Sequence, residues 1–268
     1  MKGKSKAAAP EVLTSKIIKA GALIADTKTM LSNWDTNLGV SENINHLQTS
    51  NLFGKASRSR IEDILAVFRQ RYLGSSDLMK ALIALTNGLA APELLDSVLY
   101  YYTAMNDSLV KACVLEVVWP RYERGFREVP LALVKQWIGE QVLAGRTTNV
   151  WSAKTIERCA QELLCTLRDF RLLDGAVAKS IIPRFTPISA VAFIAFAMTH
   201  AGLSARQVVD NEDWRLFLMQ PSLVSETLLE ANQHHLLTYN FAGSVQRLDF
   251  PGKTLEEYAH VVIGTENR

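Results

Sequence analysis

Ile188–His200, ISAVAFIAFAMTH, has almost no polar face. A helix of that kind is stable in water only when other elements cover it on every side. Its apolar run, Ile188–Met198, falls well short of the roughly 20 residues that cross a bilayer. The chain is therefore expected to be a soluble, globular protein that builds a core around this helix. With 268 residues it has enough length for such a core and for two or three domains. The balance of 48% hydrophobic to 21% charged residues is that of a folded chain.

Most of the remaining sequence carries helical spacing. Thr14 opens a helix to about Leu31, and Trp34 closes the first packing unit. Asn37–Gly39 reads as a turn, and Ser41 as the cap of a short helix to Gln48. In Asn51–Gly74, NLFGKASRSRIEDILAVFRQRYLG, residues Ile61, Leu65, Phe68 and Tyr72 form one apolar stripe at about 100° per residue. Ser59 and Glu62 have capping-box spacing, so this helix is expected to begin near Ser59. Arg58 and Arg69 share one flank of the stripe, and Arg60 and Arg71 the other. Helices follow at Ser76–Gly88, at Ala91–Asn106 with Pro92 in its first turn, and at Asp107–Trp119, ended by Pro120. Tyr100–Tyr102 read as core and rim. Arg121–Val129 is a basic connector around a buried Phe126, and Pro130–Leu143 is amphipathic.

Ser152 caps a long helix with Ile156, Ala160, Leu163, Leu167 and Phe170 on one face. Lys154, Arg158 and Arg168 lie on the opposite face, with Arg171 at the edge. Leu172–Gly175 ends that helix in a turn, Val177–Ile182 reads as a strand, and Arg184 lies just beyond it. This is the outline of the end of a helix-turn-helix with a wing, shared by many unrelated domains. Further on, short helices start near Ser204 and Asn211, and a longer one runs from Pro221 to about His235. Leu236–Phe241 and Val245–Phe250 then alternate as two strands around Ala242-Gly243-Ser244. Thr254–His260 gives a terminal turn or two. The expected organisation is a flexible basic arm at 1–12, a helical bundle at 13–149 and a helix-plus-hairpin domain at 150–268.

Chemistry is hard to find in this chain. No pair among the five histidines has metal-chelating spacing, and His234 and His235 diverge on a helix. There is no Walker loop, dinucleotide fingerprint or Gly-x-Ser-x-Gly elbow. Cys113, Cys159 and Cys165 have no zinc spacing and read as free thiols in a reducing compartment. No catalytic residue, metal site or cofactor is expected, and the chain reads as a non-enzyme.

Charge is more informative. The net of +2 hides +5 over residues 1–74, −1 over 75–149, +3 over 150–209 and −5 over 210–268. Two basic blocks can form one phosphate-binding face in the fold. The candidates are Lys55, Arg58, Arg60, Arg69 and Arg71, then Arg121 and Arg124, then Lys154, Arg158, Arg168, Arg171, Lys179 and Arg184. For the arginines of the first block two readings stand: stems laid over the core rim with heads in water, or contacts to phosphates or a protein partner. No base-reading residue stands out, so duplex binding would be mainly nonspecific. Acidic surroundings make the Leu236–Phe250 hairpin a protein contact or a structural part.

The runs LTSKIIKAGALIADTKTMLSNW and ENINHLQTSNLFGKASRSRIEDILAVFRQRYLG resemble the N-terminal signature of the BrxA family of BREX (bacteriophage exclusion) systems. The likeness rests on Asn51, Leu52, Lys55, Ser57, Arg58, Arg60, Arg69, Arg71, Tyr72 and Leu73. It is looser over Ser152–Gly175 and is expected to cover nearly the whole chain. The resemblance implies a mainly α fold, with an N-terminal bundle similar to the RNA-binding factor NusB and winged-helix-like parts behind it. It implies a cytoplasmic antiphage component, encoded with a large ATPase, a DNA methyltransferase and a phosphatase-like protein, that binds double-stranded DNA. The alternative is a scaffold joining BREX subunits with no direct role on DNA. RNA binding rests on fold analogy alone.

Overall fold

The computed structural model describes residues 12–19, 21–50, 52, 58–88, 90–183, 185–242 and 245–266. The fold is mainly α. A 3-10 turn at Ser15–Lys19 precedes α1 (Ile24–Ser32), α2 (Val40–Thr49), α3 (Arg58–Tyr72), α4 (Ser76–Asn87) and α5 (Pro92–Asn106). Then come α6 (Ser108–Cys113), a π segment (Val114–Val118), α7 (Trp119–Glu123), α8 (Leu131–Leu143) and α9 (Ala153–Asp169). The two-residue strands β1 (Leu173–Asp174) and β2 (Ser180–Ile181) form a small antiparallel ladder after α9. Next are α10 (Ile188–His200), α11 (Ala205–Val209), a 3-10 turn at Glu212–Phe217 and α12 (Pro221–Gln233). The hairpin of β3 (Thr238–Ala242) and β4 (Val245–Asp249) pairs Tyr239 with Leu248, and α13 (Leu255–Glu266) follows.

α10 takes the central place that its composition demands. Every residue from Ser189 to Phe196 is buried, and α5, α11, α12 and α13 pack around it. Phe193, Phe196, Phe250 and Tyr258 form an aromatic cluster on its α13 side, with Phe196 and Tyr258 stacked at 4.5 Å. On the α5 side, Tyr100 packs on Phe170 and Phe217 at 5.2 and 5.4 Å, and its hydroxyl donates to Leu216 O at 3.0 Å. α13 lies along α4 so closely that a Cβ at Gly88 would come within 2.7 Å of Ile263 Cδ1. Apolar packing thus runs without a break from Leu13 to Ile263 and across residue 150.

Local chemistry explains most of the helix ends. Ser75 and Ser152 accept from the backbone N–H groups of Leu78 and Thr155, and Ser204 with Gln207 forms a capping box. Other ends differ from the sequence expectation. The cap of α2 is Gly39, whose N–H donates to Glu42 Oε2 at 2.8 Å, so Ser41 is already helical. Ser59 likewise lies inside α3. Pro120 does not end its helix. The π segment before it widens the turn, with Trp119 N–H bonding Val114 O, and Pro120 then occupies the first turn of α7, where its missing N–H costs little. Phe126 is not buried but 54% exposed, with the Arg121 guanidinium 5.0 Å from its ring centre. The terminal helix is a full twelve residues rather than a turn or two. The flexible arm expected at 1–12 lies outside the described residues except for Val12.

The continuous helix expected from Thr14 to Leu31 is broken, and the break explains Arg71. Gly21 passes α9 closely, since a Cβ there would sit 3.4 Å from Thr166 Oγ1. Leu23 turns the chain with φ +53° before α1 begins. The carbonyls of Gly21 and Ala22 are thereby lost to any helix, and Arg71 Nη1 donates to both, at 2.9 and 3.1 Å. Arg71 Nη2 lies 3.8 Å from Asp107 Oδ2, and Asp107 caps α6 by accepting from Val110 N–H. At 2% exposure, Arg71 cannot reach a phosphate, which corrects its place among the candidate binding residues. Burial pushes the Asp107 carboxyl above the usual carboxylate range, while Arg71 and the N–H groups of Val110 and Leu109 oppose that rise. Arg71→Met leaves this carboxylate buried without its guanidinium and is expected to cost about 3–5 kcal/mol by urea unfolding at neutral pH. A carboxyl with a raised folded pKa contributes stability below its unfolded pKa and loses it as pH rises through the folded pKa. The Arg71→Met deficit should therefore shrink toward acid pH, and Asp107→Asn in the same chain should restore part of it. Parental stability in Arg71→Met, or no recovery in the double variant, contradicts the buried-pair account.

Candidate nucleic-acid interface

α9 supplies the most regular cationic face. Cys159, Ala160, Leu163, Leu164 and Leu167 hold it to the core, which turns Lys154, Arg158 and Arg168 to solvent. These three cations share the helix with Glu157, Glu162 and Asp169, so its net charge is zero. Arg168 binds its neighbour Asp169 at 2.8 Å, and that hydrogen bond raises the pKa of its guanidinium. Glu157 is taken by Lys135 of α8 at 3.2 Å. Lys154 and Arg158 have no ion-pair partner among the described residues and are the cations of α9 that remain available.

The 3-10 turn Ser15–Lys19 packs against both α9 and α3. Its exposed lysines, Lys16 and Lys19, are three residues apart, a spacing that stacks side chains on one face of a 3-10 helix. Lys19 Nζ pairs with Asp63 Oδ1 of α3 at 3.1 Å, and Arg60 Nη1 donates to Lys19 O. Gly21, just beyond the turn, passes the Glu162–Thr166 segment of α9. Arg60 thus lies over a short segment that carries two lysines and packs on α9, the helix of Lys154 and Arg158. On these three elements the cations share the surface with Asp63 and Glu162. Lys16 and Lys19 were not among the expected site residues. Their only sequence signal is the i, i+3 spacing, which has this meaning only if the segment is 3-10 rather than α.

The other candidates separate. Arg58 and Arg69 lie on the flank of α3 away from the 3-10 turn, and Arg58 is paired with Glu62 at 3.2 Å. Lys179 is 5% exposed; its ammonium donates to Gly175 O and, at 2.7 Å, to Ala176 O, so it closes the β1–β2 turn instead of meeting a ligand. That turn requires Gly175, at φ +100°, because a Cβ there would collide with Ala178 O. Arg171 follows the end of α9 in the left-handed conformation, φ +60°, with Glu93 3.8 Å from its guanidinium. Arg121 Nε donates to Glu128 O at 2.7 Å, and Arg124 is exposed beside it. Lys55 and Arg184 lie outside the described residues.

No cluster of three or more His, Cys, Asp or Glu side chains suited to a metal occurs among the described residues. Cys113, Cys159 and Cys165 are free, and burial raises the thiols of Cys113 and Cys159 to about 12, far from a reactive thiolate. Exposed guanidinium and ammonium groups can neutralise phosphates. Among the described residues, no helix is long and apolar enough to cross a membrane.

Comparison with known proteins agrees with the signature in α3. The BrxA family model matches residues 14–197, from the 3-10 turn into α10. The resemblance was expected over nearly the whole chain, and residues 198–268 fall outside this match. No curated protein matches the sequence. A match over more than half of the chain places it in a family whose members belong to BREX antiphage systems: this protein is a member of the BrxA family.

Proposed function

We propose that the chain is a non-catalytic accessory component of its BREX system that binds double-stranded DNA through phosphates. The observation that carries this reading is that exposed cations stand on three elements packed together, Arg60 on α3, Lys16 and Lys19 on the 3-10 turn, and Lys154 and Arg158 on α9. The units α9–β1–β2 and α12–β3–β4 are read as winged-helix-like, with a bundle before about residue 150 and these units after it. The first unit contains α9 and its cations; the second lies in the acidic part of the chain. Bound in this way, the protein would hold modification or exclusion machinery on DNA without choosing a sequence. The ATPase, the methyltransferase and the phosphatase-like protein are the partners this reading supplies.

The test is duplex affinity measured over a range of salt. Each phosphate contact contributes about 0.9 to the slope of log affinity against log salt on B-DNA. Lys154→Glu with Arg158→Glu should weaken binding to all duplex sequences alike and lower that slope by about 2. Affinity that is indifferent to salt, or unchanged in the double variant, rejects the reading. Lys179→Met is the internal control. It should lower thermal stability by removing the closure of the β1–β2 turn and leave duplex affinity, measured below the melting transition, as in the parent. A selective loss of DNA affinity would return Lys179 to the interface.

A further inference from the structure

The elements around α9 come in a telling order. The helical run through α6, the π segment and α7 leads to the segment 127–129, which lies antiparallel along β2. Glu128 pairs with Ser180, Val129 N–H donates to Lys179 O at 2.8 Å, and Ile181 N–H donates to Arg127 O at 2.6 Å. β2 is thus bridged on both edges, by β1 and by 127–129. α8 packs on α9, and α6 touches α9. Trp137 Nε1 of α8 donates to Glu116 Oε2 of the π segment at 3.0 Å, so the helical run also meets α8. Along the chain the order is helix, strand, helix, helix, strand, strand. A winged helix has this order, and the second helix of its central pair, here α9, is the one that enters the major groove.

The outer face of α9 carries more than charge. At about 100° per residue, Lys154, Arg158, Gln161 and Arg168 fall within about 80° of arc, and all four are exposed. Arg168 is held by Asp169, while Lys154 and Arg158 suit phosphates. Gln161 differs from its neighbours because its amide has no charge to offer a phosphate. The amides of α8 are spent within the fold: Gln136 donates to Glu140, and Gln141 donates to Trp137 O and accepts from Arg146. Gln161 has no hydrogen-bond partner among the described residues. A carboxamide presents a donor and an acceptor side by side, which matches the N6 amino group and N7 of adenine in the major groove.

We infer that α9 lies in the major groove of B-form DNA and that Gln161 reads an adenine there, while Lys154 and Arg158 hold nearby phosphates. The inference rests on the DNA-binding reading above and goes beyond it, adding a preference at one base pair to a grip that phosphates alone leave uniform. Gln161 acquires this meaning only from the place of α9 in the helix and strand order, which the spacing of α9 itself does not record.

The experiment presents the full chain with a duplex library randomised over about ten central base pairs, and sequences the bound fraction. Adenine should be enriched at one position. Gln161→Ala, at an exposed position that leaves the core intact, should erase that enrichment and keep affinity for the unselected library within about twofold of the parent. Gln161→Glu should move the enrichment to cytosine, whose amino group donates to a carboxylate. In the selected duplex, 7-deazaadenine at that position keeps the base pair and removes the N7 acceptor. It should weaken the parent by about fivefold or more and leave Gln161→Ala unchanged. An RNA duplex of the same sequence should bind more weakly, since its deep, narrow major groove does not admit a helix. Absence of binding to any duplex overturns both this inference and the proposed function. Salt-dependent binding with no enriched base, or an enrichment that survives in Gln161→Ala, overturns the base reading and leaves the phosphate grip standing. Equal affinity for the RNA duplex overturns the seating of α9 in the groove.

Discussion

A buried guanidinium ties the beginning of the chain to its middle. Where the 3-10 turn gives way to α1, two carbonyls are left without helical partners. Unsatisfied carbonyls in a buried place are costly, and Arg71 answers both while facing the carboxylate that caps α6. Asn106 completes the link, donating to Arg71 O at 2.9 Å. Four elements thus meet at this one residue, three through its side chain and one through its main-chain carbonyl. The position of the 3-10 turn against α9, and with it the spacing of the surface cations, depends on this link.

Apolar periodicity was readable because it depends on nothing beyond the helix itself. Ile61, Leu65, Phe68 and Tyr72 are all buried, as their spacing predicts, and α10 is covered on all sides. The fate of the charged flanks was not readable in the same way. Arg60 and Arg71 share a flank of α3, yet one lies over the 3-10 turn in solvent and the other is enclosed. The difference comes from the chain break at Gly21–Leu23, some fifty residues earlier in sequence, which no local pattern in α3 records. Lys179 was misplaced for a similar reason, because its ammonium satisfies carbonyls in its own turn. Pro120 misled because a proline stops an α-helix only when the turn before it keeps α geometry. The BrxA signature, in contrast, is a matter of residue identity and was visible without geometry.

The cation-bearing surface draws exposed charge from three packed elements, which suits a uniform, hydrated polyanion gripped without regard to sequence.

The seating of α13 on α4 also governs how the molecule comes into being. Asp77, in the first turn of α4, accepts from Leu255 N–H at 3.0 Å across 178 residues of sequence. At translation rates of about 5–20 residues per second, α4 emerges from the ribosome on the order of ten seconds or more before its cover does. Until then the side of α4 from Asp77 to Gly88 lacks its cover, and closing so long a loop is slow and entropically opposed. A helix made some 178 residues later is thus the one that completes the core around α4. The newborn protein passes through an interval in which chaperones, or premature partners, find an apolar face that the finished molecule hides.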